Sequence, residues 1–202
     1  MSRMVRNPYA NTPAGVLRKL NEKWRENPLD PTFGYTEKFP DGTFSIANWM
    51  HGARCTCPEA GQAESITAYI KQSSTYTPHI KCALYKDVPG YIYPLIGYTE
   101  EWLLTSGWDA WKTFNIISGG TLENADYWLM TWGDATFIYY FRNINSYMRF
   151  YTGAYTYDAW PDTIVGTRTS GHNSIYCTYT PAPVWGGSAL PQLQMAKAIL
   201  GL

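Results

Sequence analysis

The chain has little charge. Only 16% of its 202 residues are Asp, Glu, Lys or Arg, and the 16 basic and 16 acidic side chains cancel to a formal net charge of zero. Such a balance offers no electrostatic footprint for a nucleic acid or an anionic membrane. No segment approaches the ~20 continuous apolar residues of a membrane-spanning helix. The first thirty residues lack the apolar run and small-residue cleavage site of a secretory signal, so the chain is expected either to stay inside the cell or to leave by a route that needs no such signal. Histidine is scarce, at three residues. Phosphate-binding loops are missing as well, because neither Gly119-Gly120 nor Gly186-Gly187 is followed by the Gly, Lys and helix that such a loop requires.

The sequence is equally sparing with catalytic patterns. His172 lies near Ser170 and Ser174, with Asp158 and Asp162 upstream, but no G-x-S-x-G elbow supplies a strained nucleophile turn. A glycosidase would need two carboxylates facing one bond. The adjacent Glu100 and Glu101 point to opposite faces of any strand, while Asp126 and Asp134 fall where strands start or turn. No enzyme activity is expected and no catalytic residue is assigned. No cofactor is expected either, apart from calcium as a weak candidate for the loop that holds Asp158, Asp162 and Asn173. The four cysteines, Cys55, Cys57, Cys82 and Cys177, lack C-x-x-C spacing and have only His51 as a near histidine, which disfavours zinc. Cys55 and Cys57 share a strand face and do not easily bridge each other; buried thiols are expected, with one disulfide from that pair to Cys177 left open.

Aromatic side chains are what the chain has in excess: 16% of its residues, including 17 Tyr and 9 Trp. A chain of this length fits one domain with extensions. Residues 1–40 read as an N-terminal docking arm, in which Thr12 caps and Pro13 starts a short helix to about Glu26. Val16, Leu17, Leu20 and Trp24 form its apolar stripe. A helix of about three turns is marginal alone, so this stripe is expected to dock on the body or on another subunit.

From Asp41 the hydrophobic period becomes that of strands. Thr43 to Cys57 reads as one long run. Ser65 to Lys71 sets Ile66, Ala68 and Ile70 against Thr67, Tyr69 and Lys71, and His79 to Tyr85 turns Ile80, Cys82 and Leu84 one way. Further runs at Leu95 to Trp102, Trp111 to Ile117, Tyr147 to Thr152 and Ser174 to Thr180 bring the total to roughly nine strands. Asp126 to Phe141 reads as a central hairpin turning at Gly133-Asp134, with Tyr127 to Trp132 chiefly a core strand. Residues 41–180 are therefore expected to form an all-β, antiparallel sandwich, its first and last strands side by side. Residues 181–202 read as a C-terminal apolar arm with a second short helix from Pro191, presenting Leu193, Ile199 and Leu200.

Several phrases of this block carry a resemblance: Ser65-Ile66-Thr67-Ala68-Tyr69-Ile70, Lys81-Cys82-Ala83-Leu84-Tyr85, Thr99-Glu100-Glu101, Trp111-Lys112-Thr113-Phe114, Tyr127-Trp128-Leu129-Met130, Trp160-Pro161 and Ser174-Ile175-Tyr176-Cys177-Thr178-Tyr179. Together they resemble a jelly-roll-like β-sandwich module that recurs in archaeal, bacterial and phage surface proteins. The resemblance covers about Asp41 to Thr180 and neither arm. It implies a mostly non-catalytic module of the kind that binds carbohydrate or builds capsids, fibres and spikes.

The expected function is thus a structural subunit of a virion, as capsid, decoration or tail and spike, or of a similar extracellular assembly. Its partners would be copies of itself or other assembly subunits, held through Val16, Leu17, Leu20, Trp24, Leu193, Ile199 and Leu200. The alternative is a carbohydrate-binding module using an exposed aromatic face. Tyr140, Arg142, Tyr147, Arg149, Tyr151, Tyr155 and Trp160 are the candidate glycan-binding residues, since sugars stack on Trp or Tyr while Arg fixes their hydroxyls. Neither nucleic acid nor membrane is expected as a partner.

Overall fold

The computed structural model describes residues 31–39, 42–45, 48–72, 77–89, 93–135, 138–142, 148–151 and 156–183, with the strands at 42–45, 138–142 and 148–151 described by their backbone pairing. The short helices and apolar contacts expected in the two arms lie outside these residues. Among the described residues every regular element is a strand. In chain order they are β1 (Thr32–Gly34), β2 (Gly42–Ser45), β3 (Met50–Cys57), β4 (Gly61–Lys71) and β5 (His79–Lys86). There follow β6 (Tyr93–Leu103), β7 (Asp109–Gly119), β8 (Thr121–Leu122), β9 (Ala125–Gly133) and β10 (Ile138–Arg142). The last are β11 (Met148–Tyr151), β12 (Thr163–Ile164), β13 (Thr167–Ser170), β14 (His172–Asn173) and β15 (Ile175–Pro181).

All described pairings are antiparallel. The strands form one continuous, nearly closed, barrel-like sheet in the order β1-β15-β4-β7-β6-β5-β9-β3-β11-β13. Its path folds into two layers, called here the first sheet (β1, β15, β4 and the start of β7) and the second sheet (β6, β5, β9, β3, β11 and β13). Strand β7 joins them, since Asp109 to Asn115 pair with β4 and Ile116 to Gly119 pair with β6. Glycine makes that corner possible. Gly119 has φ +71, and a Cβ on it would lie 2.1 Å from the Ile96 carbonyl oxygen, so neither its conformation nor its space admits a side chain.

Alternation along the strands explains the layering. In β4, Ile66, Ala68 and Ile70 point between the sheets, as do Phe114 of β7 and Ile175, Cys177 and Tyr179 of β15. Across from them lie Ala53, Cys55 and Cys57 of β3, Ile80, Cys82 and Leu84 of β5, and Tyr127 and Leu129 of β9. The alternation expected for β4 and β5 is therefore the observed one. Strands β5 and β9, however, are buried on both faces. Their other side chains, among them Tyr85, Trp128, Met130 and Trp132, form a second core on the outer face of the second sheet, covered by Trp160 and Ile164.

Three expectations about strand neighbours are corrected. No hairpin joins Tyr127 to Trp132 with the following run: β9 lies between β3 and β5, while β10 pairs with β2, β4 and β14. A strand buried on both faces needs neighbours on both edges, and β9 takes them from distant parts of the chain. Asp134 does not make a tight turn; its carboxylate accepts from the backbone N–H of His79 at 2.8 Å, anchoring the crossing segment to the start of β5. The long run from Thr43 to Cys57 is two strands, broken where Asn48 adopts φ 63. Strand β15 takes β1 and β4 as neighbours, so β3 faces it across the core instead of lying beside it. Residues 31–39 pack on this body, with Phe33 and Phe39 both buried.

Candidate functional site

The two sheets differ in what covers their outer faces. On the second sheet, the segment from Tyr157 to Ile164 closes over the strands, and Lys81 of β5 is trapped beneath it. Its ammonium lies 4.7 Å from the ring centre of Trp132, 4.2 Å from that of Tyr157 and 5.6 Å from that of Trp160. It donates to the backbone carbonyl of Asp158. Burial pulls this amine below the ordinary lysine range, while Glu101 and Asp158 act in the opposite direction. The rings replace part of the lost hydration through their negative faces. The Tyr157 hydroxyl donates to Glu101 at 2.7 Å, and burial, followed by this hydrogen bond, drives its pKa far up.

Beside this cage lies an ion cluster. Asp87, whose side chain is 7% exposed, accepts from Arg168 Nη2 at 2.8 Å and Trp128 Nε1 at 3.0 Å, and its other oxygen is 2.6 Å from Arg54 Nε. Arg54 also reaches Asp126 at 2.8 Å. Arg168 donates to the Tyr93 hydroxyl at 2.7 Å and lies over the Tyr93 and Trp128 rings. These charges balance one another and join β3, β9, β13 and the residue after β5 on the outer face of the second sheet.

On the outer face of the first sheet, among the described residues, Gly34, Thr32, Thr113 and Asn115 are exposed, Tyr69, Trp111, Tyr176, Thr178 and Ser65 are half-buried, and Thr67 is buried. Pairing sets Gly34, Tyr176, Thr67 and Thr113 in one row and Thr32, Thr178, Ser65 and Asn115 in the next. On the other side, Tyr69 of β4 is opposite Trp111 of β7. Three half-buried rings meet there: Trp111 takes Tyr69 edge-to-face at 5.4 Å and Tyr176 tilted at 5.6 Å. Thr67 and Thr113 share a hydrogen bond of 2.8 Å. Charges gather at one end. Lys71 pairs with Asp109 at 3.0 Å, Lys38 stands 3.6 Å from the same carboxylate, and Lys38 also donates to the Tyr69 hydroxyl at 2.9 Å. The Lys71 hydrogen bond chiefly holds the Asp109 carboxyl below its usual range.

The candidate glycan-binding residues are dispersed. Tyr140 and Arg142 belong to β10, paired with β2, β4 and β14, whereas Arg149 and Tyr151 belong to β11 in the second sheet. Tyr147 and Tyr155 lie outside the described residues. Trp160 is 7% exposed and packs on Tyr85 and Trp132, so in this structure its ring covers the second core and offers no open platform.

The residues weighed for chemistry serve packing where they are described. His172 is buried, stacks on Tyr35 at 4.0 Å and meets the Phe39 ring edge-on, and Ser174 Oγ accepts from the Phe39 N–H at 2.9 Å. Glu100 accepts from Asn115 on β7 and Glu101 from Tyr157, in opposite directions. All four cysteines are buried free thiols, and burial raises the pKa of each. Asp158 and Asp162 contribute backbone carbonyls to Lys81 and Leu95, and Asn173 is buried on β14. Among the described residues no group of three His, Cys, Asp or Glu is placed to hold a metal.

The ring cluster of Tyr69, Trp111 and Tyr176 escaped the sequence reading, although the alternation of β4 already turned Tyr69 away from the core. The missing information was which strands are neighbours. No protein-family model matches the chain, and no curated protein sequence matches it significantly.

Proposed function

We propose that the chain is a non-catalytic structural subunit of a virion or a similar extracellular assembly. In this reading a jelly-roll-like sandwich is the rigid body, and the terminal arms dock on neighbouring subunits through Val16, Leu17, Leu20 and Trp24 at one end and Leu193, Ile199 and Leu200 at the other. One observation carries it. The described body has apolar layers on both sides of the second sheet, and Lys81, Arg54, Asp87 and Arg168 are engaged with aromatic and charged partners on its outer face. Such construction favours a stiff building block over a site that must move or exchange ligands.

The test compares the full chain with one lacking residues 1–30 and 184–202, by light scattering over a range of concentrations. A full chain that forms a discrete oligomer or larger assembly, and a truncated body that stays monomeric, is the expected result. Two monomers at all concentrations would overturn the proposal.

A further inference from the structure

The outer face of the first sheet combines features that single out one ligand class. Its two register rows ending at Thr113 and Asn115 carry Thr, Ser, Asn, Gly and Tyr and no charged residue. The charges at their margin are already engaged: Lys71 and Lys38 with Asp109, Glu64 with the Thr180 hydroxyl, and Glu100 with the Asn115 amide. A polyanion finds no free row of cations here. A purely apolar partner would strip water from Thr113 and Asn115, both exposed, leaving only the bonds that Thr113 shares with Thr67 and that Asn115 donates to Glu100 and idling the rest of their hydrogen-bonding capacity.

A neutral sugar chain matches both halves of the surface. Its C–H faces pack on aromatic rings, and its hydroxyl edges exchange hydrogen bonds with Thr, Ser and Asn directly or through water. Trp111 is suited to be the anchor. Its indole is held by Tyr69 on the adjacent strand and by Tyr176 on the strand beyond, so little side-chain freedom remains to be lost on binding. All the groups stand on paired strands and not on loops, which fixes their spacing.

We propose that this face, built around Trp111, Tyr176 and Thr113, is a binding surface for an uncharged polysaccharide. The site differs from the Tyr140 to Trp160 run in its strands and residues. It includes none of the arm residues on which the assembly proposal rests, so its failure would leave that proposal untouched.

Affinity gel electrophoresis and pull-down of the full chain against cellulose, chitin, β-1,3-glucan, mannan and starch, with alginate and heparin as anionic controls, tests it. At least one neutral polymer should bind, with little dependence on salt, and neither anionic polymer should. Trp111→Ala should weaken binding about tenfold or more, as expected when a central aromatic anchor is removed. Because Trp111→Ala risks disturbing the sheet, Thr113→Lys provides a second variant: the position is exposed, the fold should persist by circular dichroism, and binding should fall comparably. Absence of binding to all five neutral polymers overturns the proposal. So does binding that both variants retain, or a Thr113→Lys variant whose only change is lost self-association, which would make the face a contact between copies.

Discussion

In an Asp87→Ala variant the ion cluster on the second sheet loses the anion that its two arginines share. Arg54 keeps Asp126 at 2.8 Å, but Arg168 loses its carboxylate while keeping the Tyr93 hydroxyl and the two rings beneath it, and the Trp128 N–H loses the same carboxylate. Removing one partner of a buried ion pair costs about 3–5 kcal/mol, much of it the penalty of an uncompensated charge. Arg54 and Arg168 keep 34% and 28% of their side-chain surface in water, which places the expectation near the lower end, about 3 kcal/mol. An unsatisfied indole N–H adds to this without being strictly additive. Against a total stability of about 5–15 kcal/mol this is a large fraction, and for a chain of this size it lowers Tm by on the order of 10 °C. Guanidinium unfolding followed by circular dichroism measures it for Asp87→Ala, Asp87→Asn, Arg168→Ala and the Asp87→Ala/Arg168→Ala double variant. Asp87→Asn keeps a carbonyl acceptor for Trp128 without the charge and should fall between wild type and Asp87→Ala. The double variant should lose clearly less than the sum of the singles. A loss under about 1 kcal/mol in Asp87→Ala, or strict additivity, would refute the assigned role.

The corner between the sheets makes a second prediction. Gly119→Ala forces a side chain into φ +71 and against a carbonyl oxygen, costing about 1–3 kcal/mol from strain alone and more from the clash, whereas Gly107, at φ +79 with open space around it, gives the strain without the clash. Comparing the two alanine variants by denaturant midpoint isolates the clash, and equal losses would show that β6 and β7 do not approach so closely. A third concerns pH. The hydrogen bond to Asp134, at 2.8 Å, chiefly raises the His79 pKa above its ordinary 6.5, so the charged form is favoured in the folded state. The resulting stability is fully present below pH 6.5 and is lost as pH rises through the raised value. Because the His79 side chain is 46% exposed, the effect should be small. Tm measured between pH 5 and 9 should fall in wild type relative to Asp134→Asn over that window, and parallel profiles would rule the pair out as a titrating contact.

How much was legible depended on whether the deciding interaction was local. The alternation of Ile66, Ala68 and Ile70 against Thr67, Tyr69 and Lys71 depends only on the period of a strand, and it survived unchanged. The pairing of β9 did not, because Gly133-Asp134 resembles turn chemistry while the buried residues on both sides of β9 demand two distant strands. Trp160 was misleading for a related reason. It lies in a segment with Asp158, Pro161 and Asp162 that shows no alternation and reads as a surface loop, yet that segment covers Trp132 and Lys81. Long-range covering leaves no trace in a window of neighbouring residues.

The same consideration separates the two uses of the aromatic excess. On the second sheet Trp128 and Trp132 are 0% and 1% exposed because the chain returns over them; the Trp128 indole N–H donates to Asp87, while Arg168 and Lys81 lie over the faces of the Trp128 and Trp132 rings. On the first sheet Trp111 and Tyr176 are half-buried and brace each other; Gly34, Thr67 and Thr113 complete the row of Tyr176, and Tyr69 is opposite Trp111. An aromatic covered by its own chain gains from burial of its ring, and its N–H or O–H is best met by an acceptor as Asp87 meets Trp128; one left at the surface keeps its polar edge and its neighbours in water until a ligand arrives. By that criterion the second sheet gives the molecule stiffness. The first sheet is the layer on which recognition of something outside the chain would depend.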